Sequence, residues 1–277
     1  MSDYLISVCI PTFNRAKCLK DCLDDIVIQF KDEEVAKKVE VVILDNISKD
    51  NTEKIVDEFA QKYSNIKYHK DTKDRNIAGG QIKVGGLGTG EYIWFFSDDD
   101  KFTIDAFKTL IRALENKDYG AIFCNTSSFS ANKSENIISE NNFKIQQDLI
   151  LKTKKDLFNF VGKHFYCYNF FFTFMSNYIV KRDVFRQGLE VIKKYNSSLD
   201  LFPFHIPIYY NNLDFSFLVI AKPVVRYREG NVSWGPSDKL KHMIFSNKIV
   251  NNHLKNILIS NNRFLSAELI ARTIITR

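Results

Sequence analysis

Residues 91–101 read EYIWFFSDDDK, and the reading of this stretch decides the fold. Tyr92, Ile93, Trp94, Phe95 and Phe96 run without a polar interruption. That is the pattern of a short strand buried on both faces. The run stops at Ser97, and Asp98, Asp99 and Asp100 follow. Adjacent like charges repel one another unless a cation sits among them. In open α/β sheets, ligands bind beyond the carboxyl ends of the strands. Two readings follow. The triplet holds a divalent metal that in turn holds a phosphate, or it is a solvated turn that caps the next helix.

Working outward, apolar runs alternate with helix-like segments. Strands are expected over Tyr4–Ile10, Val39–Leu44, Ile66–His69, Tyr92–Phe96 and Tyr119–Asn125. Between them, Ala16–Phe30, the segment opening at Ser48–Thr52, Asn76–Leu87 and Thr103–Leu114 carry helical spacing or helix-start residues. This alternation predicts a doubly wound, mainly parallel α/β sheet. The second half changes character. Ser127–Gln147 is rich in Ser and Asn and reads as a surface excursion. Lys154–Gly162 and Val184–Tyr195 read as helices, and the aromatic-rich Tyr166–Val180 ends as a strand. Phe215–Tyr227 is strand-like, with Pro223 marking a break or an edge. Leu240–Ile275 reads as mostly helical.

The bulk composition is that of a globular protein, 45% hydrophobic and 26% charged over 277 residues. The start, MSDYLISVCIP, lacks a basic n-region and a long apolar h-region, so no signal peptide is expected. No apolar run is long enough to predict a membrane span. The odd count of five cysteines, without metal-ligand spacing, predicts free thiols in a reducing cytoplasm. Cys18 and Cys22 fall one helical turn apart, as on a buried helix face. The net charge of +6 is uneven: residues 238–277 hold seven basic and two acidic residues, or +5, and the rest of the chain +1.

Polar residues recur where the strands end. Strand one runs into Pro11, Thr12, Asn14 and Arg15; strand two into Asp45 and Asn46. Asp45 is placed to accept a hydrogen bond from a base N–H or a ribose hydroxyl, or to cap the helix starting near Ser48. Six of the eleven glycines lie between Gly79 and Gly90. They precede a strand rather than follow one, so they are not the dinucleotide fingerprint. Asn76–Gly80 is read as a helix N-terminus that a ligand can approach closely, and Gly85–Gly90 as the turn into the next strand.

As a set, SVCIPTFNR (7–15), VVILDNISKDNT (41–52), RNIAGG (75–80) and YIWFFSDDD (92–100) resemble family 2 glycosyltransferases. The resemblance implies a GT-A fold. Its nucleotide-sugar-binding half would be residues 1–126 and its acceptor-binding half 127–237, with a basic helical segment over 238–277. It implies that Pro11, Thr12, Asn14, Arg15, Asp45, Asn76, Gly79 and Gly80 line the nucleotide-sugar site. Asp98 would serve ribose and metal and Asp100 would be the firmer metal ligand, with Asp99 in the same donor site. Hard carboxylate oxygens select Mg²⁺ or Mn²⁺, which offsets charge on a departing diphosphate. FTFMSNYIVKRDVF (172–185), LFPFHI (201–206) and PVVRYREGNVSW (223–234) resemble a narrower group that includes abequosyltransferase-like enzymes of bacterial surface polysaccharides. Here the catalytic base is expected at Asp200, with Asp214 as the alternative, and His205 is a candidate metal ligand. Arg226, Arg228, Asn231 and Trp234 are read as a loop closing over the diphosphate.

The activity implied is metal-dependent inverting transfer of a sugar from a nucleotide donor to a glycan or lipid-linked glycan hydroxyl. UDP is favoured, because Asp45 can accept from uracil N3–H and cytosine lacks that donor. No nucleic-acid partner is expected. The basic 238–277 segment suits anionic lipid on the inner face of the cytoplasmic membrane. Competing classes are a catalytically degenerate binding module and an Asp-dependent phosphotransferase. The D-x-D-x-T pattern of the latter fails, since Phe102 stands where threonine belongs.

Overall fold

The computed structural model describes residues 4–75, 77–115, 117–131, 135–164, 174–195 and 215–230. Asn76, Asp200, His205, Asp214, Asn231, Trp234 and the 238–277 segment therefore lie outside the described residues. The elements in order are β1 (Ile6–Thr12), α1 (Ala16–Gln29), α2 (Glu33–Lys38), β2 (Val39–Asp45), α3 (Thr52–Ala60), β3 (Ile66–Lys70), α4 (Ile77–Leu87) and β4 (Tyr92–Phe95). Then come β5 (Lys101–Phe102), α5 (Ala106–Leu114), β6 (Ala121–Ser130), β7 (Ile137–Ser139), β8 (Leu149–Leu151), α6 (Lys154–Lys163), β9 (Tyr178–Lys181), α7 (Arg182–Tyr195) and β10 (Phe217–Glu229).

One sheet runs in the order β3-β2-β1-β4-β9-β6-β10-β5. The pairs β1/β2, β1/β4, β2/β3 and β6/β10 are parallel, and β9 enters antiparallel between β4 and β6. The expected fifth strand is thus present, but β9 separates it from β4. The sheet has helices on both faces, and the strand period of two decides which side chain serves which face. Trp94 and Phe96 join Val8, Ile10, Val41 and Ile43 against α1 and α5, where Leu19, Leu23, Ile26, Phe107 and Leu110 are buried. Ile93 and Phe95 join Cys9, Val42 and Leu44 against α4, α6 and α7, where Val84, Leu157, Phe160 and Phe185 are buried. A strand apolar on both faces is what such a two-sided core requires.

Several expectations need correction. The glycine-rich turn into β4 is shorter than expected, because Gly85 and Gly86 are still inside α4. The tight approach belongs to Gly90: a Cβ there would lie 2.7 Å from the Ser7 backbone nitrogen. Ser127–Gln147 does not simply run over the surface. Its first residues extend β6, and Phe143 and Ile145 are buried. Hydrogen bonding stands in for apolar pattern here: the Asn125 amide donates to Ala221 O at 2.6 Å and its oxygen accepts from Phe143 N–H at 2.9 Å. Pro223 marks a break, since the β6/β10 register shifts between Ile220 and Val225. Cys22 is buried on the inner face of α1, and Cys9, Cys18, Cys22 and Cys124 are free thiols. No helix among the described residues is long and apolar enough to cross a membrane.

Candidate functional site

Because β1, β2, β3 and β4 are parallel, their carboxyl ends share one edge, and Thr12, Asp45, Asp71 and Asp98 arrive there together. The acidic triplet is buried in that edge: Asp98, Asp99 and Asp100 are 3%, 9% and 2% exposed. That rules out a solvated turn. Each carboxylate is engaged, and Asp98 and Asp99 share one cation. Thr12 Oγ1 donates to Asp98 Oδ2 at 2.7 Å. The Arg15 guanidinium reaches Asp98 Oδ1 at 3.1 Å with one nitrogen and bonds Asp99 Oδ2 with the other. Ser97 Oγ donates to Asp99 Oδ1. Ser176 Oγ donates to Asp100 Oδ2 at 2.6 Å, and the Arg228 backbone N–H to Asp100 Oδ1 at 3.1 Å.

These partners do not neutralise the cluster. Burial, reinforced by Asp99 and opposed by Arg15 and Thr12, pushes Asp98 up to about 7. Burial and then Asp99 push Asp100 well above the ordinary carboxylate range, against the bonds from Ser176 and Arg228. Burial works against the Arg15 charge as well, but Asp98 and Asp99 outweigh it and raise its pKa. Among the described residues, no three metal-ligating side chains are grouped closely enough to hold an ion by themselves. The donor chemistry nevertheless fits Mg²⁺ or Mn²⁺. Asp98 and Asp100 offer hard oxygens in a buried site with an excess of negative charge, which a divalent cation would relieve.

Asp45 is fully buried, and both its oxygens are engaged. Oδ1 accepts from Ser48 N–H at 2.8 Å and Oδ2 from the Tyr68 hydroxyl at 2.7 Å. It therefore closes the turn at Ser48 and does not cap a helix there, because α3 starts only at Thr52 behind Asn51. Asn14 adopts a left-handed φ of 52°. It clips the β1–α1 loop to the next one, accepting from Lys49 N–H at 2.7 Å while its own N–H donates to Ser48 Oγ at 2.8 Å. Gly80 is buried beside Pro11, where, among the described residues, a Cβ would meet nothing nearer than Pro11 Cβ at 3.9 Å. The protein's own packing thus does not require glycine at this position. Gly79 lies with it in the first turn of α4.

Arg226 and Arg228 are within β10, not in a loop after it as the sequence suggested. Both guanidinium groups lie 5.0 Å from the Phe129 ring centre, and Arg228 Nε donates to Asp99 O at 2.8 Å. Arg228 Nη2 is buried without a hydrogen-bond partner among the described residues. The sequence reading quoted the stretch around Ser176 but gave that residue no role. It also missed Asp71, which the strand-end logic used for Asp45 would have found. Asp71 bonds the Arg75 guanidinium and lies 3.1 Å from Lys83 Nζ. Burial pushes this carboxyl up, but those two cations outweigh it and hold it well below the usual range.

Residues 7–189 match the sequence pattern of the family described as Glycosyl transferase family 2. An uncharacterised glycosyltransferase of Mycoplasma genitalium is 34% identical over 125 residues, which is 44% of this chain and 41% of that protein. The abequosyltransferase RfbV of Salmonella typhimurium is 33% identical over 118 residues, 41% of this chain and 33% of that protein. The chain thus spans less than half the length of these curated relatives. Residues 1–349 of S. aureus TarS, solved with UDP-GlcNAc, superpose with a TM-score of 0.62 at 15% identity. The superposition covers 96% of this chain and 69% of that one, and shows the shared GT-A fold.

Proposed function

We propose, from the premise that the chain belongs to glycosyl transferase family 2, that it is a metal-dependent, inverting glycosyltransferase. It moves a sugar from a nucleoside-diphosphate donor, UDP before others, to a hydroxyl of a glycan or lipid-linked glycan in bacterial surface polysaccharide synthesis. The observation that carries this reading is the buried triplet at the shared strand edge, with Thr12 at the end of β1 and Arg15 at the start of α1 locked onto Asp98. The abequosyltransferase relative supports the polysaccharide setting, and the UDP-GlcNAc bound to the fold neighbour supports the donor class.

In this reading the donor lies across the strand ends, with Pro11, Thr12, Asn14, Asp45, Asn76, Gly79 and Gly80 around the nucleoside. Asp98 and Asp100 hold Mn²⁺ or Mg²⁺, with His205 as a further ligand. When bound, that ion takes up negative charge on the departing diphosphate. Arg15, Asp99, Arg228, Asn231 and Trp234 border the diphosphate. Asp200, or Asp214 in its place, takes the proton of the acceptor hydroxyl. The oxygen then forms its bond to the sugar's C1 as the bond from C1 to the diphosphate oxygen breaks, which inverts the anomeric centre. The divisions 1–126, 127–237 and 238–277 follow the same assignment, with 238–277 resting on anionic lipid of the cytoplasmic membrane.

The test is a panel of nucleotide sugars screened for hydrolysis and calorimetric binding, with Mn²⁺ and with chelator. Metal-dependent binding and turnover of a UDP-sugar are expected. Equal turnover in chelator would refute the metal role, and binding without turnover on any acceptor would favour a degenerate module.

A further inference from the structure

Asp100 owes its orientation to a residue far from it in sequence. Ser176, fully buried just ahead of β9, donates its hydroxyl proton to Asp100 Oδ2 at 2.6 Å. A serine hydroxyl has one proton to give. Its lone pairs face the other way here, because the Ser97 backbone N–H donates to the same oxygen at 2.9 Å. The proton's direction is thereby fixed. The turn that carries Ser176 is itself fastened to its surroundings. The Trp94 indole donates to Ser176 O at 2.7 Å, and the Cys124 N–H to Asn177 O at 2.7 Å. Within the turn, Tyr178 N–H reaches Met175 O at 3.1 Å, and the Gln81 amide of α4 lies 3.2 Å from the Met175 sulfur.

The two ends of the triplet are therefore held by different chemistry. Asp98 and Asp99 share the Arg15 cation. Among the described residues, Asp100 accepts from two neutral donors, the Ser176 hydroxyl and the Arg228 N–H. A neutral donor fixes a carboxylate's rotation without consuming its charge, which is the property a metal ligand needs from the group behind it. We propose that Ser176 is a positioning residue that presents Asp100 to the divalent ion. It couples the segment before β9 to the donor site at the end of β4. The proposal rests on the reading of Asp100 as a metal ligand.

The experiment measures Mn²⁺ affinity by calorimetry for the wild-type chain and for Ser176→Ala, Ser176→Cys and Ser176→Thr. UDP affinity in chelator and melting temperature are recorded alongside. The Ala and Cys variants are expected to lose about 10- to 100-fold in Mn²⁺ affinity. Their chelator UDP affinity should stay within about twofold of wild type, and Thr, which keeps the hydroxyl, should recover most of the loss. A wild-type chain that binds no Mn²⁺ would bring down the metal reading and this proposal with it. A folded Ala or Cys variant that binds Mn²⁺ as tightly as wild type would overturn the Ser176 assignment alone. So would a parallel loss of metal-free UDP binding, the mark of a purely structural role. If the Ala variant fails to fold, the near-isosteric Cys variant decides.

Discussion

Arg15 lies directly against Asp98, with guanidinium nitrogen and carboxylate oxygen 3.1 Å apart, and the same guanidinium bonds Asp99. One fixed cation thus serves two carboxylates that stand where the donor's metal is proposed to bind. The arrangement keeps a buried acidic cluster tolerable in the free chain, yet burial still raises Asp98 and Asp100 above the ordinary carboxylate range.

The first prediction concerns that cation. Arg15→Met removes the charge and keeps much of the stem. Removing one member of a buried pair costs ~3 kcal/mol, and the partial exposure of Arg15, 22% of its side chain, reduces the figure to about 1–2 kcal/mol. The variant should melt several degrees below wild type at pH 8. Mn²⁺ should raise its melting temperature by more than it raises wild type, because the ion supplies the missing charge. An equal Mn²⁺ response in both proteins would show that ion and guanidinium do not act on the same carboxylates.

The second prediction follows from the raised pKa of Asp98, about 7. Between about pH 4 and 7 the folded chain keeps this proton while the unfolded chain has released it. The folded state then binds more protons, so stability falls as pH rises through that window. The metal-free protein should lose on the order of 4 kcal/mol from this group between pH 4 and 8, and Asp98→Asn should flatten that part of the curve. Metal binding runs the opposite way, since a protonated carboxyl is a poor ligand. Mn²⁺ affinity should therefore weaken as pH falls through about 7. Denaturant melts in chelator and calorimetry across pH 5.5–8.5 measure the two halves, and a flat Mn²⁺ profile would contradict Asp98 as a ligand.

The third prediction separates two glycines that look alike in sequence. At Gly90 a Cβ would stand 2.7 Å from Ser7 N and 2.8 Å from Ile6 C, both backbone atoms of β1. Backbone cannot swing aside, so Gly90→Ala should destabilise the fold by roughly 1–3 kcal/mol. At Gly80 the nearest atom among the described residues is Pro11 Cβ at 3.9 Å, an ordinary contact. Gly80→Ala should melt at or slightly above the wild-type temperature, since alanine suits a helix better. It should nevertheless weaken nucleotide binding several-fold, because the added methyl enters the proposed donor site. Unchanged UDP affinity in Gly80→Ala would remove Gly80 from that site.

Local chemistry made much of this architecture readable. The doubly apolar run at Tyr92–Phe96 and the strand-end polar residues gave the parallel sheet and the edge where the triplet sits, because burial on both faces leaves an unmistakable pattern. Helix α2 was readable but overlooked: Asp32 caps it by accepting from Glu34 N–H at 3.0 Å, and Lys37 and Lys38 pair with Glu33 and Glu34 four residues back. What escaped is non-local. The insertion of β9 beside β4 depends on pairing between Trp94 and Ile179. The Ser176–Asp100 bond likewise joins residues whose relation exists only in the folded chain. Arg226 and Arg228 were read as part of a loop after the last strand, whereas β10 passes Pro223 with a shift of register and continues to Glu229.

The last prediction asks what Asp45 does besides hold its turn. Its two oxygens already accept from Ser48 N–H and the Tyr68 hydroxyl, so its role in the turn is established by geometry. A carboxylate oxygen has lone pairs to spare, and a second acceptor role toward uracil N3–H is compatible with the first. Asp45→Asn separates the two. The asparagine oxygen still accepts from Ser48 N–H, and its NH₂ group can donate to the Tyr68 oxygen once that hydroxyl turns. The turn and the fold should therefore survive with a melting temperature within a few degrees of wild type. What is lost is the acceptor proposed to meet the base, worth about 1.5–3 kcal/mol where the bond is made. UDP affinity should fall by roughly tenfold or more, while CDP, whose base offers no N3–H, should bind the variant no worse than it binds wild type. Competition calorimetry with both nucleotides reads the difference. A variant that melts normally and loses affinity for UDP and CDP alike, or for neither, would confine Asp45 to the turn and withdraw the preference for a uridine donor.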